Sequence, residues 1–381
     1  MIMQSREFQI FAKPVGSSCN LSCRYCYYLR KKELYPATSH FLMADEILEK
    51  YIRQHIEAST ENIINFSWHG GEPLLAGIDF YRKVLKFQAA FKPDDKTILN
   101  GIQTNGTLLN KEWCGFFARE GFIIGISIDG PEDLHNIYRL TRDSQATWRQ
   151  VTEGFQLLKK HGIIPEILCV VNNENVKHPL VIYNYFRQIG AKFITFIPLV
   201  EPEGGSPTGA TGISVPSEAF GYFLSDIFDA WVENDIGEIK IQIFEEAART
   251  AFNQEHTLCI FKINCGGVPV VEHNGDFFSC DHYVNIDHKL GNIKDHSLTC
   301  LLESEKQQAF GKAKSENLPE YCLECEVRAM CNGECPKNRF ILTPDGEKGL
   351  NYLCKGYKYF FNHCRPFIEA IRDAWGNQDH D

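Results

Sequence analysis

Six short runs rich in β-branched and aromatic residues recur along the N-terminal half of the chain, separated by polar or glycine-containing breaks. They are FQIFAKP (8–14), NIINFSWHGG (62–71), ILNGIQTNG (98–106), FIIGISIDG (122–130), IIPEILCVV (163–171) and KFITFIPLV (192–200). Most end at Gly, Pro or Asn, and each predicts a strand. Between them the apolar positions return at helical spacing. Phe80, Val84, Phe87 and Phe91 share one predicted helix face. Asn110 stands as an N-cap before Trp113, Phe116 and Phe117, and Pro179 suits a first helical turn before Leu180 and Tyr183. Strands alternating with helices over short connections predict βαβ units and a parallel sheet. Six such units fit an α/β fold with a partial, six-stranded TIM-like barrel better than a closed eight-stranded one.

The pattern then changes. EPEGGSPTGATGISVPS (201–217) predicts a weakly structured stretch, and a strongly amphipathic helix follows with Phe220, Phe223, Leu224, Ile227, Phe228 and Trp231 on its apolar face. From Cys259 onward helical periodicity weakens, cysteines crowd, and Gly and Asn turns recur. That texture predicts a small domain held together by metal rather than by a large core. The division expected is a barrel over 1–233 and a Cys-rich domain over 234–381. No internal repeat or low-complexity tract is present.

With 381 residues and 44% hydrophobic content, the chain has room for a barrel and an appended domain. No apolar run is long enough for a membrane span. The start, MIMQSREFQIFAKP, lacks the apolar core of a secretory signal, so a cytoplasmic protein is expected. A net charge of −10 argues against a general nucleic-acid binder, which needs clustered Lys and Arg. Fifteen cysteines, an odd count in a chain expected to be reduced, point to metal ligation rather than a disulfide framework.

SSCNLSCRYCYYL (17–29) places Cys19, Cys23 and Cys26 at C-x3-C-x2-C just after the first predicted strand, where parallel α/β barrels keep their active sites. A [4Fe–4S] cluster takes four ligands, so three thiolates leave one iron open for a small molecule. WHGGEPLL ends the second strand with Gly70, Gly71 and Glu72. Two residues without Cβ admit a close approach to the backbone, and the carboxylate beside them suits an ammonium group. Ser127 ends the fourth strand in ISIDG, and Arg139 closes HNIYR with a fork suited to a carboxylate. Taken alone, Ser127 is also an ordinary turn residue.

The cysteine loop, with Tyr25 just before its last Cys, resembles the signature of radical S-adenosylmethionine enzymes. The resemblance implies a cluster whose open iron holds S-adenosylmethionine and whose electron cleaves it to a 5′-deoxyadenosyl radical. It further implies that Tyr25, Gly70, Gly71, Glu72, Ser127 and Arg139 surround that cofactor, with Val200 at the end of the sixth strand packing on adenine. A zinc loop is the plainer alternative.

Eight further cysteines lie near the C-terminus: Cys259, Cys265, Cys280, Cys322, Cys325, Cys331, Cys335 and Cys354. They are similar to a SPASM domain with two auxiliary [4Fe–4S] clusters, making three clusters in all. By that resemblance Cys259, Cys265, Cys280 and Cys335 hold one cluster, and Cys322, Cys325, Cys331 and Cys354 the other. Spacing alone leaves zinc sites open. Cys114 and Cys169 read as buried small apolar residues, and Cys300 and Cys364 carry no assigned role.

KPVGSSCNLSCRYCYYL, HGGEPLLAG, QTNGTLL, SIDGPEDLHN, CDHYV, LGNI and NYLCKGYKYFF together resemble anaerobic sulfatase-maturating enzymes along almost the whole chain. That family oxidises a Cys or Ser of a nascent sulfatase to Cα-formylglycine. The resemblance implies hydrogen abstraction from the target Cβ, loss of a proton to a base, and transfer of the second electron to an auxiliary cluster. Asp281, following Cys280 in FSCDHYV, is the expected base, with a turn or hydrogen-bonding role as the alternative. His282 is expected to be structural. The implied partners are an unfolded sulfatase polypeptide and an external low-potential electron donor, with the enzyme a monomer acting on neither nucleic acid nor membrane. A crosslinking SPASM enzyme and a non-catalytic metal scaffold are the rival readings.

Overall fold

The computed structural model describes residues 8–36, 41–204 and 209–376. Residues 1–7, at the start of the segment read for a secretory signal, and 205–208, in the predicted weakly structured stretch, lie outside the described residues. In chain order the strands are β1 (Phe11–Lys13), β2 (Ile63–Trp68), β3 (Thr97–Thr104), β4 (Ile123–Ser127), β5 (Glu166–Val171), β6 (Phe193–Pro198), β7 (Lys240–Ile241), β8 (Val270–Glu272), β9 (Asp276–Phe278) and β10 (Lys289–Asn292). A separate pair follows, β11 (Ile341–Leu342) and β12 (Lys348–Leu350). Five of the six predicted strands form close to their expected limits, and β1 forms over three of its seven predicted residues.

The chain divides into two compact units. The first comprises Met1–Ser127, Asn136–Pro165 and Gly266–Gly311, and the second Ile128–His135, Glu166–Cys265 and Lys312–Asp381. In the first unit the strand order is β10-β9-β8-β1-β2-β3-β4. Strands β1 to β4 pair in parallel in sequence order. The other edge of β1 takes β8, also parallel, with Phe11 opposite Val270 and Lys13 opposite Glu272. Strands β9 and β10 return antiparallel. In the second unit β5, β6 and β7 pair in parallel.

The helix Ile78–Phe91 buries Phe80 and Val84 as expected, but Phe87 and Phe91 are only half-buried and Gln88 takes the inner position. Chemistry on β3 explains the exchange. Gln88 and Asn100 trade two amide hydrogen bonds of 2.9 Å, and the Trp68 indole donates to Asn100 Oδ1 at 3.0 Å. A buried amide satisfied in this way loses little by leaving water. Asn110 caps the helix Lys111–Glu120 as predicted, accepting from Trp113 N at 3.0 Å.

In the second unit the helix Ser217–Asn234 turns Phe220, Phe223, Leu224, Ile227 and Phe228 inward. Trp231 is half-buried, its indole N–H donating to the Ile239 carbonyl at 2.7 Å. A 23-residue helix, Cys354–Gly376, packs along it. This helix corrects the expectation that periodicity fades after Cys259: Tyr357, Phe360, Phe361 and Cys364 form a buried stripe. The two backbones meet at glycines. A Cβ on Gly356 would stand 2.0 Å from the Ser217 carbonyl oxygen, and one on Gly221 2.5 Å from that of Gly356.

Candidate active site

The three-cysteine loop leaves β1 and is pinned by its backbone. Leu21 bridges to Thr141, Ser22 N donates to the Leu140 carbonyl at 2.9 Å, and Arg24 N to that of Tyr138 at 3.0 Å. Arg142 Nη2 adds a 2.6 Å bond to the Cys19 carbonyl. Cys19 Sγ accepts from Leu21 N at 3.4 Å and Asn105 Nδ2 at 3.7 Å. Burial pushes its thiol up to about 12; Leu21 N–H works against this, while Glu72, Cys23 and Cys26 add to it. Such a group gives up its proton when a cation binds, which is the behaviour of a metal ligand.

Gly70 and Gly71 have φ of 80° and 46°, the left-handed region that glycine enters freely. The space they leave is used by the protein itself. A Cβ on Gly70 would meet Lys13 Cδ at 2.2 Å, and one on Gly71 the Ser18 carbonyl oxygen at 1.9 Å. Glu72 N also donates to that carbonyl, at 2.8 Å. The Glu72 carboxylate, fully buried, accepts from Leu74 N at 3.0 Å, Thr104 Oγ1 at 2.8 Å and Asn105 N at 2.7 Å. Burial raises it to about 7 despite those donors. In this arrangement the motif fastens the cysteine loop to the ends of β2 and β3.

Of the other expected cofactor residues, Ser127 closes β4 and Val200 follows β6, whereas Tyr25 lies in the cysteine loop and Arg139 directly follows the helix Glu132–Tyr138. Ser127 Oγ accepts from Gln103 Nε2 at 3.1 Å. The guanidinium of buried Arg139 lies over the Tyr25 ring at 5.5 Å, and the Tyr25 and Tyr138 rings are 5.8 Å apart. Val200 belongs to the second unit, where it is buried and its carbonyl accepts from Lys337 Nζ at 2.8 Å.

Asp281 follows Cys280 in the first unit and is buried. Lys13 Nζ, 2% exposed, stands 2.6 Å from Asp281 Oδ1. The Tyr27 hydroxyl donates to Oδ2. No hydroxyl, amide or backbone N–H donates to Oδ1 among the described residues, which leaves Lys13 as its one partner there. Burial alone would raise the carboxyl, but Lys13 first, then His282 and Tyr27, hold it well below the usual carboxylate range. His69, stacked on Phe11 at 3.9 Å, is lowered to about 3 by burial and Lys13 and is neutral. His282 meets the Tyr27 ring edge-on at 5.6 Å.

In the second unit Cys322, Cys325, Cys331 and Cys354 line one cavity together with Tyr321, Asn351 and Lys358. Burial, followed by the nearby Cys322 and Cys325, pushes the Cys354 thiol up to about 12. Cys259, Cys265 and Cys335 belong to the same unit, and Cys280 to the first. Among the described residues no three of His, Cys, Asp and Glu sit close enough to hold a single metal ion. Four thiols around one cavity are a donor set that fits an iron–sulfur cluster, each iron taking its own ligand. Cys114, Cys169 and Cys364 are buried and Cys300 is exposed.

Two family models match the chain, the Radical SAM superfamily over residues 14–186 and an iron–sulfur cluster-binding domain over 265–326. The chain is also 42% identical to a serine-type anaerobic sulfatase-maturating enzyme of Bacteroides thetaiotaomicron, across 98% of this chain and 93% of the relative. This chain belongs to the anaerobic sulfatase-maturating enzymes. A cysteine-type anaerobic sulfatase-maturating enzyme of Clostridium perfringens (strain 13 / Type A) is 32% identical over 94% of this chain and 96% of the relative. The solved structure of native anSMEcpe with bound AdoMet and Cp18Cys peptide is similar at a TM-score of 0.87 and 31% identity, covering 96% and 99% of the two chains. Streptococcus suis SuiB, at 14% identity and a TM-score of 0.59 over 88% of this chain and 72% of its own, shares the fold. The chain is thus a radical SAM enzyme of sulfatase maturation. It has the α/β fold expected, with S-adenosylmethionine and iron–sulfur clusters as its cofactors.

Sequence reasoning missed several residues of this sulfatase-maturating enzyme. Lys13 reads as a strand lysine, and nothing nearby in sequence announces Asp281 as its partner. Tyr27 carries a faint signal, since it directly follows Cys26. Asn105 lies inside QTNGTLL, a string that carries only the family resemblance.

Proposed function

We propose that this enzyme oxidises a Cys or Ser side chain of an unfolded or nascent sulfatase to Cα-formylglycine. The observation that carries the reading is the bond from Tyr27, next to Cys26, to Asp281, next to Cys280. It brings the expected base to the residue beside the radical-generating loop, although the two lie 254 positions apart in sequence.

In this reading Cys19, Cys23 and Cys26 hold the cluster that binds S-adenosylmethionine, and the eight C-terminal cysteines hold two more. Bound, these groups supply a radical that takes a hydrogen from the target Cβ and an acceptor for the electron that follows. The chain's own residues manage the proton. Lys13 and Tyr27 keep Asp281 ionised and fixed, and Oδ1, engaged by Lys13 alone among the described residues, offers its second lone pair to the substrate hydroxyl or thiol proton. The strong ion pair lowers the basicity of the carboxylate, so Asp281 acts once loss of hydrogen has made the substrate proton more acidic. Ser then gives the aldehyde directly, and the thioaldehyde from Cys is hydrolysed by water with release of hydrogen sulfide. Neutral His69 leaves Asp281 as the charged acceptor there. The enzyme works as a cytoplasmic monomer fed by an external low-potential donor. Among the described residues no helix is long and apolar enough to cross a membrane.

The test is anaerobic incubation with S-adenosylmethionine, a reductant and matched Cys- and Ser-containing sulfatase peptides, read by mass spectrometry. Formylglycine is expected in the wild-type reaction, and a crosslinked peptide would favour the rival SPASM activity. Asp281→Asn keeps the cavity and removes the proton acceptor. It should still form 5′-deoxyadenosine while the formylglycine yield per 5′-deoxyadenosine falls ~10²–10⁴-fold. An unchanged ratio would send the search for the base elsewhere.

A further inference from the structure

Between Cys331 and Cys335 three successive residues, Asn332, Gly333 and Glu334, have φ of 47°, 69° and 50°. Such a left-handed run is costly for residues with a Cβ and needs support from its surroundings. The support is one guanidinium. Arg339 Nε donates to the Gly333 carbonyl at 2.8 Å, and Nη2 to those of Asn332 and Glu334 at 3.0 and 3.2 Å. Its Nη1 donates to the Lys314 carbonyl at 2.6 Å.

Lys314 is itself fully buried, its ammonium donating to the carbonyls of Cys259 and Ile260 at 3.0 and 2.7 Å. Neither cation has a carboxylate within ion-pair distance among the described residues. The nearby Glu334 carboxylate is taken up by the Asn338 and Asn351 amides. A buried, unpaired cation is destabilising unless some negative charge faces it. Within electrostatic reach lie the Glu334 carboxylate, shared by both cations, and sulfur: Cys265, Cys322 and Cys331 around Arg339, and Cys259, Cys265 and Cys335 around Lys314. Two cations thus face a single acidic side chain, and the balance falls on the thiols.

Resting on the function proposed above, we propose that Arg339 and Lys314 are positioning charges that set the reduction potentials of the auxiliary clusters. Four thiolates outweigh the positive charge of a [4Fe–4S] core, so each cluster is a net anion, and reduction makes it more so. A fixed cation nearby stabilises the reduced form and raises the potential, since net charge is one of the determinants of cluster potential. Cys331 and Cys335 are assigned to different clusters, and the loop between them closes on Arg339. One charge therefore serves both. The result is a pair of centres poised to take the electron that substrate oxidation releases.

The test is an EPR-monitored redox titration of the holoenzyme with Arg339→Gln, Arg339→Lys, Lys314→Gln and Lys314→Arg. The cluster whose spectrum changes on adding S-adenosylmethionine is the internal control and should not move. At the wild-type auxiliary midpoint, Arg339→Gln should lower the reduced-to-oxidised ratio about tenfold, or 59 mV for one electron. Lys314→Gln should move it the same way, and both charge-keeping variants should stay within about twofold of wild type. Neutral variants with full iron and unmoved potentials would overturn the proposal. So would Arg339→Lys shifting as far as Arg339→Gln, which would leave Arg339 a fastener of the loop. If the neutral variants lose auxiliary iron while the charge-keeping ones retain it, the charge requirement stands; loss from all four overturns it. Absence of auxiliary iron from the wild type would instead sink the functional reading.

Discussion

Burying an ammonium and a carboxylate together is worthwhile only when the geometry is good and the remaining polar atoms are engaged. At Lys13 and Asp281 the arrangement is tight but incomplete, because Oδ1 has Lys13 as its single partner among the described residues and keeps its second lone pair open. Glu72 shows the opposite design, with three donors on a carboxylate that no cation touches. Burial nevertheless raises Glu72 to about 7, above its ordinary 4.5. The folded state therefore holds this proton more firmly than the unfolded chain does. Its contribution to stability is complete below pH 4.5 and is lost as pH rises through 7. In urea unfolding of reconstituted enzyme without S-adenosylmethionine, the wild type should lose about 3 kcal/mol relative to Glu72→Gln between pH 4.5 and 8. A pH-independent difference between the two proteins would show that Glu72 does not titrate in this window. None of this was legible beforehand, because the HGGEPLL string gives the residue types but not the donors that converge on them.

At the scale of elements, the alternation of strands and helices was readable because β-branched runs of five to eight residues carry their own period. Strands β8 and β9, three residues each like β1, lack the longer apolar run that announces β1, and β8 finds its partner in β1 at the far end of the chain. The helix Cys354–Gly376 was hidden by its composition, since Cys354, Gly356 and Pro366 read as breakers. Gly356 is there for contact. Gly356→Ala would drive a methyl against the Ser217 carbonyl, a backbone atom that cannot swing aside. We expect a loss of about 1–3 kcal/mol or more, with iron lost from the cavity that Cys354 lines. Urea unfolding and iron analysis check this, and a variant of wild-type stability would show that the helices can separate cheaply.

For the molecule as a whole, the eleven assigned thiols imply about twelve irons per chain if three [4Fe–4S] clusters form. Replacing Cys19, Cys23 and Cys26 together with Ala should remove about one third of that iron and abolish 5′-deoxyadenosine formation. The remaining iron should stay, because none of the eight C-terminal thiols is replaced and four of them, Cys322, Cys325, Cys331 and Cys354, line a cavity of their own. Continued cofactor cleavage by the triple variant would overturn the loop assignment. The cysteine spacing made this count available from sequence, whereas Arg339 and Lys314 became visible only once the left-handed loop was seen closing around them.

The pairing of β1 with β8 has a consequence for biosynthesis. Tyr28, at the end of the cysteine loop, and Glu272, on β8, are 244 positions apart and meet through a hydroxyl–carboxylate bond. At roughly 5–20 residues per second, a ribosome takes on the order of 10–50 s to make the chain between them. For that interval one edge of β1 shows unpaired N–H and C=O groups, a template for pairing with other nascent chains. A stalled or truncated product would carry the whole cysteine loop and still lack the strand that closes its floor. We therefore expect cluster insertion at Cys19, Cys23 and Cys26 to wait until β8 has been made and paired with β1.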